Sequence, residues 1–160
     1  MHIQFYTHEY LETVTDLMLD MSAHYNGPNA SERHEVRQNL IKNILGEHSG
    51  VHLVIALDGV RAVGLASISI LYPAPKERGQ LFMKELFVAS DCRGGGIGKA
   101  LMHFVARYAV SKSCSRFDWT VDETNLEALS FYRQLGAQTN PGKLYFRLAG
   151  PELDHFASES

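Results

Sequence analysis

Residues 93–98 read Arg-Gly-Gly-Gly-Ile-Gly, and this run constrains the chain more than any other feature. It follows an apolar stretch, Leu86-Phe87-Val88. It opens a segment in which Ile97, Ala100, Leu101, Phe104, Val105, Tyr108 and Ala109 recur at helical spacing. The order is therefore strand, glycine loop, helix start. Glycine reaches positive φ without strain and lets a ligand approach the backbone. A helix start adds unpaired N–H groups and the positive end of the dipole. Together they make an anion site, most often for phosphate. A turn without a ligand is the bland alternative. Four glycines between positions 94 and 98 are a costly way to build one.

Two common phosphate loops are excluded by spacing. A dinucleotide fingerprint requires G-x-G-x-x-G and a later acid, and a Walker loop requires G-x-x-x-x-G-K-[ST]. Neither is present. The pattern that stands here is Arg-x-x-Gly-x-Gly, in mid-chain.

The rest of the chain alternates strand and helix signals. Ile3 and Phe5 suggest an opening strand. Leu11, Val14, Met18, Met21 and Tyr25 follow at helical spacing, and Gly27-Pro28-Asn29 breaks that helix. Ser31 reads as the N-cap of a second helix, with Glu32 and Glu35 in its first turn. Val51, Leu53, Ile55 and Leu57 alternate as a strand, and Asp58-Gly59 signals a hairpin to a return strand near 61–71. In the next strand, near 81–88, the phase changes. Leu81 and Met83 are apolar on odd positions, Leu86 and Val88 on even ones, with Lys84-Glu85 at the break. One extra residue, a β-bulge, would restore a single apolar face; local irregularity is the alternative. Phe117, Trp119 and Val121 suggest a further strand, Ala128, Phe131, Tyr132 and Leu135 a helix ended by Gly136, and Leu144, Phe146 and Leu148 a last strand. This order implies an α/β (mixed α+β) fold, one mixed sheet with helices on both faces. We expect one domain over residues 1–150 and a flexible C-terminal tail over 151–160.

Composition narrows the function classes. A chain of 160 residues with 45% hydrophobic content suits one core. A formal net charge of −3 with scattered Lys and Arg gives no reason to expect a nucleic-acid partner. No apolar run nears the ~18 residues of a membrane span, and the N-terminus lacks a signal-peptide pattern. Cys92 and Cys114 read as reduced thiols, which suggests a cytoplasmic setting. The eight histidines show no ligand spacing, so no metal is expected.

Arg93 to Gly98, with its lead-in Val88-Ala89-Ser90-Asp91-Cys92, resembles the acetyl-CoA loop of the GNAT N-acetyltransferase superfamily. Asn125-Leu126-Glu127-Ala128-Leu129-Ser130-Phe131-Tyr132, followed by Gly136-Ala137, resembles that family's second signature. The two motifs cover about residues 80 to 139. The resemblance implies a mostly antiparallel sheet splayed between the fourth and fifth strands. It also implies acetyl-CoA as cosubstrate, with Gly94, Gly95, Gly96, Ile97, Gly98 and Lys99 cradling its pyrophosphate and Arg93 adding charge. Lys99 reads equally well as an ordinary exposed helix residue. Backbone groups of Leu86, Phe87 and Val88 would hold pantetheine, and the Leu86 N–H would polarise the acetyl carbonyl. Asn125, Ala128 and Phe131 would complete the cofactor side, although Asn125 also reads as a helix cap.

By the same resemblance Tyr132 is the expected general acid for the departing thiolate; on periodicity alone it is equally a core residue. Glu85, at the phase break, is the best-placed carboxylate to take a proton from the amine, or to recognise its charge. Tyr25, Asp118 and Trp119 join it as expected substrate contacts. Within the superfamily the chain most resembles the diamine (spermidine/spermine-type and thialysine-type) acetyltransferases. It departs from them at Lys84, where they carry an acid, at Thr124, where they carry tryptophan, and over 24–29. The function expected is acetyl transfer to a small primary amine, by a homodimer. Transfer to a protein N-terminus, a lysine or an aminoglycoside, and a non-catalytic acyl-CoA-binding domain, are the alternatives.

Overall fold

The computed structural model describes residues 1–158. Five strands form one sheet in the order β1-β2-β3-β4-β5: β1 His2–Phe5, β2 His52–Asp58, β3 Arg61–Ala74, β4 Arg78–Val88 and β5 Cys114–Trp119. The first four are joined antiparallel, and β5 runs parallel to β4. The parallel step is possible because the helix α3, Ile97–Ser111, supplies the crossover between them. Asp58 pairs with Arg61 across the hairpin, with Gly59 at φ +59, as the turn signal requires.

Strand β2 lies inside the sheet, and residues 53–57 are buried without a break. Both of its faces must therefore be covered. On one face Leu53, Ile55 and Leu57 join Leu65 and Phe87 against Leu11, Val14, Leu17 and Met18 of α1, Leu11–Asn26, and Val36 of α2, Arg33–Asn39. On the other face lies α3. A Cβ placed on Gly64 would meet Ile97 Cγ2 at 3.0 Å and Leu101 Cδ1 at 3.1 Å. Glycine at 64 is thus what lets α3 lie close to the sheet. Each Leu, Ile or Val withdrawn from water here contributes about 1.5–3 kcal/mol. Arg33 bridges Glu12 and Asp16, and Arg37 also meets Glu12, so α2 is fixed along α1. The N-cap of α2 is Glu32 rather than Ser31, whose hydroxyl is engaged with Ser22 at 2.8 Å.

The expected bulge is present. Ser67 pairs with Glu85 and Ile68 with Met83, which leaves Lys84 as the extra residue. The sheet also splays where expected. The pairing of β4 with β5 ends at Met83 and Trp119, and residues 84–88 continue against β3 alone.

The chain divides into two compact units, Met1–Val121 and a second that begins at Asp122. The second contains α4, Leu126–Gln134, and α5, Pro151–Ser158. Two expectations fail within it. Leu144, Phe146 and Leu148 alternate as a strand would, yet residues 143–149 join no ladder. Alternation specifies a face, whereas a strand also needs a hydrogen-bonding edge. Residues 151–158 form a helix where a tail was expected. Gly150 turns the chain at φ +54 and accepts the N–H groups of Leu153 and Asp154, and Pro151 is pre-set for a first helical position.

Candidate active site

The bulge determines which backbone groups of β4 remain available. The Ala89 N–H donates to Val63 O at 3.0 Å. Hydrogen-bonded and non-bonded pairs alternate along an antiparallel ladder. Phe87 and Glu85 therefore direct their backbone groups to β3, whereas Leu86 and Val88 direct theirs to the edge that β5 has left. Two contacts agree with this. The Val88 carbonyl accepts from Arg93 Nε at 3.1 Å, and the Leu86 N–H faces Glu85 Oε1 at 3.3 Å. Outside the β3–β4 ladder and held only by these side-chain contacts, an N–H and a C=O two residues apart suit an extended amide-bearing arm.

The strand runs into the glycine loop. Gly94 and Gly96 have φ of +77 and +79, and Gly96 is the N-cap of α3. Added Cβ atoms at either would meet nothing within 4 Å. The conformation requires glycine while the space above it is open, which fits an incoming anion. Arg61 holds the lead-in through two bonds to Asp91, of 2.8 and 3.1 Å. The guanidinium keeps the Asp91 carboxyl below its ordinary range, so this tie is complete at neutral pH and lost only in acid. Arg93 also lies over the Phe87 ring, 5.6 Å from its centroid. Lys99 is exposed in the first turn of α3.

Glu85 and Phe87 share the face covered by α1. The last turn of α1 brings Tyr25 Oη to Glu85 Oε1 at 2.9 Å, and the His24 and Tyr25 rings meet Phe87 tilted and edge-on, with centroids 5.9 and 6.3 Å away. Two expected substrate residues, far apart in the sequence, are thus in direct contact. One carboxylate oxygen of Glu85 faces both the Tyr25 hydroxyl and the Leu86 N–H. Asp118 is engaged otherwise: it accepts from Gln80 Nε2 at 2.8 Å and pairs with Arg116 Nε at 2.9 Å. Trp119 packs on Phe117, opposite Met83 at the point of splay.

Both cysteines are free thiols. Partial burial, then the neighbouring Asp91, pushes the Cys92 thiol up, and burial pushes Cys114 up. Among the described residues no cluster of His, Cys, Asp and Glu could hold a metal ion.

In the second unit Asn125 caps α4, its Oδ1 accepting from the Ala128 N–H at 3.1 Å. Asp122 accepts from the Thr124 N–H and hydroxyl, and these bonds hold its carboxyl below the usual range. Phe131 and Tyr132 are half-buried, with ring centroids 5.1 Å apart.

The strand with its bulge, the glycine loop and the second motif lie within one stretch that matches a known family. Residues 13–137 match the acetyltransferase (GNAT) family. The chain belongs to that family. It is an acyltransferase. It is 29% identical to the thialysine N-epsilon-acetyltransferase of Mus musculus over 123 residues, which cover 70% of this chain and 72% of the mouse protein. It is 31% identical to an L-ornithine N5-acetyltransferase of Arabidopsis thaliana over 97 residues, 61% of this chain but only 42% of the plant protein. An integron cassette protein from the mobile metagenome of V. cholerae matches at TM-score 0.94 and 34% identity, covering 99% of this chain and 98% of that one.

Arg61, His24, Gln80 and Gly64 were not singled out by sequence. Their roles depend on pairings across the sheet, which local patterns do not carry. The Asp58-Gly59 hairpin places Arg61 at the start of β3 but gives no sign of Asp91, which the β3–β4 pairing brings to it.

Proposed function

We propose that this GNAT acetyltransferase moves the acetyl group of acetyl-CoA to a primary amine of a small molecule by direct attack. The observation that carries the reading is the one-residue bulge at Lys84. It leaves Leu86 and Val88 with outward backbone groups and sets Glu85 beside Tyr25. Residues 1–150 act as one acetyltransferase domain in this reading.

Gly94 to Gly98, with Arg93 and Lys99, receive the pyrophosphate at the helix start. Leu86, Phe87 and Val88 align the pantetheine arm, and Asn125, Ala128 and Phe131 belong to the cofactor side by their match to the second GNAT motif. The Leu86 N–H donates to the acetyl oxygen as negative charge develops there. Glu85 takes the ammonium proton, directly or through water, so that the amine lone pair can attack the carbonyl carbon. A tetrahedral intermediate forms, the attacking nitrogen loses its second proton to solvent, the intermediate collapses with cleavage of the C–S bond, and Tyr132 gives its proton to the thiolate and regains one from water. Tyr25 and Glu85, with Asp118 and Trp119, form the acceptor side. A carboxylate and a hydroxyl suit a side-chain ammonium such as the relatives' names imply. The enzyme works as a cytoplasmic homodimer. No described helix is long and apolar enough to cross a membrane.

The test is a panel assayed for CoA thiol release: thialysine, L-ornithine, lysine, spermidine, an aminoglycoside and N-terminal peptides. Turnover of the side-chain amines supports the reading. Turnover of peptides or aminoglycosides alone overturns the substrate class. Acetyl-CoA binding with no turnover across the panel favours a non-catalytic domain.

A further inference from the structure

The register of the sheet joins Glu85 to a second charged group. Ser67 pairs with Glu85, Ser69 with Phe82 and Leu71 with Gln80. On the other side of β4, Gln80 pairs with Arg116 and Phe82 with Asp118. Residues opposite one another point to the same face. Glu85, Phe82, Gln80, Arg116 and Asp118 therefore share the face that bears the Tyr25–Glu85 contact. None of these residues is buried, so this face is open to solvent.

Arg116 is held on it in one orientation. Its Nε pairs with Asp118 Oδ2 at 2.9 Å, and its Nη2 donates to Gln80 Oε1. Gln80 Nε2 closes the ring on the same Asp118 oxygen at 2.8 Å. An exposed ion pair adds little stability, and ordering long side chains costs entropy. What the ring supplies is a preset guanidinium. The edge between Nη1 and Nη2 meets no acceptor among the described residues beyond the Gln80 bond. That edge is the fork that binds a carboxylate through two parallel bonds. Both bonds to Asp118 end on Oδ2, which leaves Oδ1 for an ammonium beside that carboxylate.

We propose that the acceptor is a zwitterionic α-amino acid. It presents its side-chain amine to Glu85, its carboxylate to the Arg116 fork and its α-ammonium to Asp118 Oδ1. This rests on the small-amine reading above and names the class of amine. The spacing agrees. Glu85 and Asp118 are two rungs apart along the sheet and one strand apart. Their backbones are thus about 8 Å apart, at ~3.3 Å per rung and ~4.8 Å per strand. A side chain with about four or five bonds from amine to α-carbon spans about 5–6 Å, and the two carboxylates reaching toward its ends close the remainder. The signs agree as well, with an acid for the amine and an opposed pair for the head. A diamine of equal length has nothing to offer the fork and brings an ammonium near its charge, which weighs against it.

The experiment compares L-ornithine with putrescine and L-lysine with cadaverine, pairs that differ only by the carboxylate. Steady-state kinetics with acetyl-CoA should favour the amino acid of a pair at least ~10-fold in kcat/KM, the scale of a hydrogen bond to a charged group. Arg116→Gln should collapse that ratio toward one, chiefly through KM for the amino acid. Arg116→Lys keeps the charge and loses the fork, so its ratio should fall between the two. Thermal midpoints within a few degrees of wild type show that the variants fold, and the wild-type ratio needs no variant at all. A diamine used as well as its amino acid overturns the inference and keeps the small-amine reading. So does an Arg116→Gln variant that slows both members of a pair equally, which would leave Arg116 with bracing β5 alone, or one that leaves the ratio untouched. Turnover of none of the four, by a protein that binds acetyl-CoA, overturns both readings.

Discussion

The Tyr25 hydroxyl donates to Glu85 Oε1 across 2.9 Å, joining the last turn of α1 to the bulged strand from 60 positions away. The bulge at Lys84 makes this meeting possible, because it sets Glu85 on the face that α1 covers. Tyr25→Phe keeps the ring and removes this one bond. A hydrogen bond to a charged group is worth about 1.5–3 kcal/mol when shielded, and this one is exposed, so a roughly 3–10-fold loss is expected. It should appear in KM for the amine, with KM for acetyl-CoA unchanged. Steady-state kinetics with both substrates varied separates the two. An acetyl-CoA effect of equal size would remove Tyr25 from the acceptor side.

Glu85→Gln tests the proton acceptor. An alkyl ammonium titrates near ~10.4, so at neutral pH nearly all of the amine must lose a proton before it attacks. The variant should turn over at least ~10-fold more slowly at pH 7, a conservative figure for loss of a general base. As pH rises, solvent deprotonates the amine instead, so the gap should narrow toward pH 10. A constant ratio across the pH–rate profile would leave Glu85 with charge recognition alone.

The glycine loop can be tested with an internal control. Gly96 holds φ +79 at the start of α3, and no atom lies within 4 Å of an added Cβ. Gly96→Asn and Gly96→Asp carry the same backbone strain, about 1–2 kcal/mol. They differ only in charge. A carboxylate set against a pyrophosphate costs several kcal/mol, so the Asp variant should bind acetyl-CoA at least ~10-fold more weakly than the Asn variant. Calorimetry on both reads the difference. Equal affinities would mean that the phosphates lie elsewhere.

Gly64 offers a test that is independent of the ligand. Its added Cβ would press on Ile97 and Leu101, and would stand 3.3 Å from the Phe87 carbonyl oxygen. Gly64→Ala should therefore destabilise the fold by about 1–3 kcal/mol, the usual cost of overpacking. The urea midpoint should fall with its slope unchanged. A midpoint equal to that of wild type would show that α3 shifts freely against β3.

The parts of this architecture that follow local periods could be read from sequence. The phase change from Met83 to Leu86 gave away the bulge, because side chains alternate with period two and one added residue reverses them. The loop and α3 could be read from glycine placement and a clean helical stripe. What depends on tertiary pairing could not. Nothing near Arg61 announces that it clamps Asp91, and nothing near Tyr25 announces Glu85. Ser31 is a cap by residue type, but its hydroxyl is engaged with Ser22 and Glu32 caps the helix. The apolar alternation at 144–148 predicts a strand, yet residues 143–149 join no ladder, because alternation carries no information about which edge a strand will join.

Tyr132 remains the residue for which pattern and chemistry make opposite demands. Its place on the stripe of α4 suits packing, and it is half-buried beside Phe131. Its match to the second GNAT motif suits proton donation. Tyr132→Phe separates the two. It keeps the ring and nearly all of its contacts, so the thermal midpoint should shift by no more than a few degrees. It removes the one proton that a departing thiolate would take. If Tyr132 is the acid, kcat should fall at least ~100-fold, the lower end for loss of a general acid, while acetyl-CoA affinity stays nearly intact. The loss should also shrink for a cosubstrate analogue whose thiol is more acidic, since such a leaving group needs less help. A purely structural role would lower stability and leave that leaving-group dependence unchanged. Wild-type turnover in a folded Tyr132→Phe variant would assign the residue to packing and the proton to water.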